Sequence, residues 1–262
     1  MTLAGAPSQS WWWNSWGRNG FLSAVRRGLL DGRAVDDLWR VGGTPVAEIA
    51  DLVARSKGHA THRGHFCWSG VNQPELREHA GRELASYLNA LYRLAPGEPM
   101  RIVAHSHGAN VVKYCSSSSE LDPKIRISRA VFLACPHFTN PTERKRFPFR
   151  LDPARFGRVL NLFTKRDAVQ GRIAEALPTA WGGGLYDWAP TAAPIDPDPA
   201  AAAVYENQAV ETTDDGVKAH TAMHGATIGY LVGLWLGTRS DFRSILGRHG
   251  TGLPVPRSDF GA

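Results

Sequence analysis

The sequence predicts an α/β domain with a mostly parallel central sheet and helices on both faces. Short apolar runs at Met100 to Ala104, Ala130 to Cys135 and Val159 to Thr164 lack polar alternation, as strands buried on both faces do. Between such runs lie stretches whose apolar residues recur at helical spacing, so strands and helices alternate along the chain. The 262 residues are within the range of one α/β domain, and residues 1–262 are expected to form a single one.

The elements follow in order. Met1 to Lys57 breaks the alternation, with WWWNSW at Trp11 to Trp16 and one amphipathic helix candidate, Phe21 to Leu30. From Thr61 the stretch THRGHFCW supplies β-compatible residues ahead of a Ser-Gly turn and predicts a strand. Leu76, Ala80, Leu84, Leu88 and Leu91 define one face of a helix from Glu75 to Leu94, which Pro96, Gly97 and Pro99 stop. The run from Met100 is followed by small residues and a helix from Gly108 to about Ser117. The runs ending at Pro136 and at Lys165 predict two further strands. A last strand is expected around Ala209 to Thr212, ahead of an apolar helix over Ala222 to Leu236. Residues 178–203, rich in Pro, Gly and Ala, are expected to form a surface excursion or lid, and 238–262 a C-terminal tail. Gly182-Gly183-Gly184 is not a phosphate loop, because neither a Lys-Ser/Thr pair nor a helix follows it.

Composition narrows the function classes. Hydrophobic residues make up 43% and charged residues 21%, which excludes a disordered or fibrous chain. The net charge of +6 is dispersed. Its densest stretch, Glu143-Arg144-Lys145-Arg146, is short and interrupted, so a nucleic-acid partner is not expected. Cys67, Cys115 and Cys135 are an odd set without paired spacing, which fits reduced thiols rather than a disulfide framework. Met1 to Ser10 lacks the basic start and apolar core of a secretory signal, and Ala222 to Leu236 is too short to span a bilayer. A cytoplasmic protein without integral membrane association is the expectation.

The segment with the clearest chemistry is RIVAHSHGANVV, Arg101 to Val112. Ala104-His105-Ser106-His107-Gly108 places Ser106 between small residues at the handover from strand to helix. A nucleophile on such a turn takes up a strained backbone, and bulky residues two positions away would collide with neighbouring chain. The turn exposes the serine Oγ and aims the N–H of His107 at the place where an oxyanion would form. The plainer reading is a small polar residue that eases strand into helix. His105 and His107 also raise a metal site, but no Cys or carboxylate ligand set accompanies them, and no metal is expected. His107 then reads as a wall of the site, and Asn110 as a residue that holds the helix start.

With those residues the chain resembles an α/β-hydrolase of the lipase/esterase type. It is similar to bacterial hydrolases with an aromatic N-terminal segment, a Trp-Ser-Gly-x-Asn turn, a helix bearing Arg and a His-Ser-His-Gly elbow. The corresponding pieces are Trp11 to Trp13, Trp68 to Asn72, Arg77 and AHSHGAN, and the resemblance covers about Trp11 to Gly237. It implies the order nucleophile, acid, base, with Ser106, Asp167 and His220 in those roles. Asp167 follows the run ending at Thr164, where a helix cap is its other reading. VKAHTAMHG offers two imidazoles: His220, in the loop ahead of the helix, is preferred as base, and His224 is the alternate.

One departure accompanies the resemblance. Such hydrolases have an early strand ending in His-Gly whose loop gives the second oxyanion-hole N–H. Met1 to Ser10 is expected to be too short and too polar for a buried strand. Either the chain starts late or Trp11 to Asn14 replaces the loop. The expected function is therefore a serine hydrolase of carboxylic esters, on a small-molecule or lipid ester, without cofactor. A hydrolase-fold binding or interaction protein with impaired catalysis is the alternative. Oligomeric state and substrate identity stay open.

Overall fold

The computed structural model describes residues 2–4, 25, 40–41, 44–45, 65–69, 74–97, 99–135, 151–164, 166–167, 203–211, 219–220, 222–223 and 225–249. The strands are β1 (Thr2–Ala4), β2 (Arg40–Val41), β3 (Thr44–Pro45), β4 (His65–Cys67), β5 (Met100–His105), β6 (Ile127–Leu133), β7 (Phe156–Phe163) and β8 (Tyr205–Ala209). The helices are α1 (Pro74–Leu94), α2 (His107–Ser117), α3 (Ala226–Gly237) and α4 (Phe242–His249). Six strands form one sheet in the order β4-β1-β5-β6-β7-β8, and every pairing in it is parallel. β2 and β3 form a separate antiparallel pair.

Alternate residues of the central strands face opposite layers, as the two-residue period of a strand requires. Ile102, Ala104, Ala130, Phe132 and Val159 pack with Leu84 and Leu88 of α1 and Val111, Val112 and Cys115 of α2. Val103, Val131, Leu133, Leu160 and Leu162 pack with Ile228, Leu231, Val232 and Trp235 of α3 and Phe242 and Ile245 of α4. Helices therefore cover both faces, and the α/β architecture expected from the sequence is present. Cys115 and Cys135 are buried free thiols, and burial pushes the Cys115 thiol far above its ordinary range. Among the described residues, no helix is long and apolar enough to cross a membrane.

Several elements differ from the sequence expectation. Met1 to Ser10 was expected to hold no buried strand, yet Thr2–Ala4 runs inside the sheet, with Thr2 opposite Val103 and Ala4 opposite His105 on one side and β4 on the other. A three-residue strand flanked on both edges is held by two backbone ladders, a contribution that a search for apolar runs does not detect. The last strand lies at Tyr205–Ala209 rather than Ala209 to Thr212. Its polar residues have partners: Glu206 binds Arg158 at 2.9 Å and Asn207 accepts from Asn161 at 3.0 Å. The stretch expected as a tail opens with α4, whose Phe242 and Ile245 are core residues. The candidate helix Phe21 to Leu30, apart from buried Val25, and the excursion at 178–202 lie outside the described residues.

A row of arginines fixes α3. Arg101, Arg129 and Arg158 stand side by side in register on β5, β6 and β7. They donate to carbonyls at the end of that helix and just beyond it: Arg101 to Leu236 at 3.0 Å, Arg129 to Trp235, and Arg158 to Arg239 at 3.1 Å. Cations there satisfy orphan carbonyls and oppose the helix dipole. The Arg129 and Arg158 guanidiniums lie 5.1 and 5.2 Å from the centre of the Trp235 ring. Burial and the charges of Arg158, Arg101 and Arg239 pull Arg129 down to about 10.

On the other face, α1 crosses α2 at Gly81, where an added Cβ would lie 2.5 Å from the Tyr114 Cβ and 3.0 Å from the Cys115 nitrogen. Alanine in place of a helical glycine ordinarily gains about 1 kcal/mol. Here the helices must separate to admit the methyl, and overpacking of this kind costs about 1–3 kcal/mol. Gly81→Ala is therefore expected to lower the urea midpoint of unfolding at unchanged slope; a raised midpoint would show that α1 and α2 are not in this contact.

Candidate active site

Ser106 joins β5 to α2 with φ 52° and ψ −133°, a left-handed backbone that a side chain rarely adopts. Strain of this kind costs about 1–3 kcal/mol and persists only where the surroundings over-determine it. The surroundings here are specific. The Ser106 N–H donates to the Leu133 carbonyl at 2.8 Å, continuing the β5–β6 ladder, and the Ser106 carbonyl accepts from Ala109 at 3.1 Å in the first turn of α2. Ala104, Gly108 and Ala109, the small flanks noted in the sequence, are buried around it.

Ser106 also occupies the N-cap position of α2, where a serine hydroxyl ordinarily accepts from an orphan N–H. Its side chain makes no such bond. The plainer reading, a serine that eases strand into helix, predicts that capping bond. The observed turn keeps the strained backbone and leaves the hydroxyl out of the helix.

The two other residues expected from the sequence meet each other. Asp167 lies four residues beyond β7, and its Oδ2 accepts from His220 Nδ1 at 2.6 Å. Both side chains are buried, at 1% and 4% exposure, so the pair is shielded from competing water. A proton on Nδ1 directed at a carboxylate leaves Nε2 as the basic nitrogen of a neutral His220. His224 lies outside the described residues.

The segment carrying His220 sits against the strand that carries Ser106. The His105 and His220 ring centres are 4.5 Å apart at a tilt of 59°, and His105 Nε2 lies 3.3 Å from the His220 carbonyl. Strand ends β5, β7 and β8 therefore lead to Ser106, Asp167 and His220 on the carboxyl side of the parallel sheet, where such sheets place ligands.

The two histidines that flank Ser106 have separate partners. His107 Nδ1 faces the Asn110 amide nitrogen at 3.2 Å, and the Asn110 Oδ1 lies 3.9 Å from the Cys135 thiol that donates to it. An amide N–H can only donate, so His107 Nδ1 accepts and its ring proton is on Nε2. Burial, Arg77 and His220 all hold His107 well below its ordinary value of 6.5, in agreement with a neutral ring. Asn110, expected to hold the helix start, bonds the side chain of His107, the first residue of α2. Cys135 was not foreseen as part of the site; only its position at the end of an apolar run pointed there.

A scan against known protein families finds no match, and neither does a search of curated proteins or of solved structures.

The His107 shift makes stability depend on pH. Unfolded chains take up a proton near 6.5, whereas the folded ring resists it to lower pH. The unfolded state thus binds more protons in that window, and stability falls as pH drops through it. Urea unfolding of the wild type between pH 8 and pH 5 should show this loss, and His107→Gln should lose measurably less. Parallel pH profiles for the two proteins would contradict the assigned neutral state.

Proposed function

We propose that the chain is a serine hydrolase of carboxylic esters with an α/β-hydrolase fold, acting through Ser106, His220 and Asp167. The observation that carries the proposal is Ser106 itself, held at φ 52° in a cap position without capping, with the residue before it, His105, in contact with the His220 of a buried His220–Asp167 pair. In this reading Ser106 Oγ attacks the ester carbonyl carbon while His220 Nε2 takes its proton. The tetrahedral oxyanion is met by the His107 N–H at the start of α2. Collapse expels the alcohol, which receives the proton from His220, and leaves an acyl group on Ser106. Water, deprotonated by the same imidazole, then releases the carboxylic acid. Asp167 fixes the His220 tautomer and offsets the imidazolium charge.

The alternative of an impaired binding protein rests on the want of an early strand beside the nucleophile. β1 supplies one: it runs next to β5 and ends with Ala4 level with His105, and the sequence continues into Gly5 and Ala6. That strand supports the catalytic reading over the alternative. The preference for a lipid or other apolar ester rests on the tryptophans of the N-terminal segment and of the 178–203 stretch. A cytoplasmic location belongs to the same proposal and is supported by the free thiols of Cys115 and Cys135.

A fluorophosphonate probe tests the proposal. The wild type should be labelled covalently, Ser106→Ala should not be, and on p-nitrophenyl esters Ser106→Ala should lose about 10⁴-fold or more in kcat. His220→Ala should fall comparably, whereas His224→Ala should retain most activity. A folded wild type that resists the probe would overturn the hydrolase reading, and a loss confined to His224→Ala would reassign the base.

A further inference from the structure

We infer that His105, the residue ahead of the nucleophile, is a positioning residue that clamps the base-bearing segment to the nucleophile strand. The inference rests on the hydrolase reading for its kinetic consequence. Its geometry is independent of that reading. His105 is the last residue of β5, is buried at 2% exposure, and shares its face of the sheet with Val103, on the side of the core that receives Ala222 and Met223. A backbone carbonyl can only accept, so the 3.3 Å approach of His105 Nε2 to the His220 carbonyl requires the His105 proton on Nε2.

His220 is thereby held at two places. Asp167 fixes the ring at Nδ1, and His105 fixes the backbone that carries the ring, while the two imidazoles pack at 4.5 Å in a tilted contact. Asp167 acts on the ring and fixes its tautomer, whereas His105 acts on the backbone of the buried helical turn that carries it. His105 belongs to the same backbone as Ser106, so whatever moves the nucleophile moves its base with it. A misplacement of about 1 Å at a reacting group costs about 100-fold in rate, which is what the clamp would prevent.

The test compares a residue that keeps the ring but lacks the donor with one that replaces the donor. His105→Phe should lower kcat on p-nitrophenyl acetate by about 10- to 100-fold with little change in KM, and His105→Gln should recover most of it. The low-field proton resonance of the His220–Asp167 hydrogen bond should be present in the wild type and His105→Gln, and broadened or lost in His105→Phe. If His105→Phe does not fold, His105→Asn, whose shorter amide stops short of the carbonyl, takes its place in the same comparison. Unchanged kcat and an intact resonance in the donor-free variant would overturn the clamp, as would a His105→Gln variant no better than His105→Phe. A wild type without esterolysis whose resonance still depends on the His105 donor would overturn the hydrolase reading and keep the clamp.

Discussion

The left-handed backbone at Ser106 is the constraint on which the rest of the site depends. A serine does not hold φ 52° unaided, and each feature around it removes an escape. The hydrogen bond to Leu133 fixes its N–H in the sheet ladder, α2 begins at the next residue, and the small residues on either side are buried. Ala104 belongs to the core shared with α1 and α2, so the Ser106 conformation is tied to the packing of that whole layer. The close approach of α1 at Gly81 is part of the same support, because it sets how α2 lies on the sheet.

The opposite layer carries the segment that bears His220. α3 is pinned beyond its last turn by the arginine row at the strand beginnings, while His220 lies on the chain leading toward its start. The anchoring charges are thus at one end of the sheet and the reactive groups at the other. Arg77 is the exception: it is fully buried in α1 and helps hold His107 neutral, so a second imidazolium does not oppose the charge that His220 would acquire.

The central elements were legible in the sequence because each satisfies a one-dimensional rule. Met100–His105 is a strand whose last four residues are buried, and α1 shows its apolar face at Leu84 and Leu88. Ser106 was legible from its small neighbours, and Asp167 and His220 from their order after it. β1 and β8 were not, for physical reasons. Thr2–Ala4 is specified by ladders on both edges rather than by its own side chains, and Tyr205–Ala209 is a polar edge strand whose partners, Arg158 and Asn161, lie over forty residues away. The roles of His105 and Asn110 were hidden for a related reason. Which atom an imidazole or amide engages depends on tautomer and approach, and neither is written in residue spacing.

Covalent capture of the acyl intermediate tests the central claim most directly. Acid quenching of a reaction with p-nitrophenyl acetate, followed by mass analysis of the peptides, should find one acetyl group per chain, on the peptide holding Ser106, at a level matching the initial burst of p-nitrophenol. Hydrolysis without a trapped acetyl group, or an acetyl group on any other residue, would contradict the account.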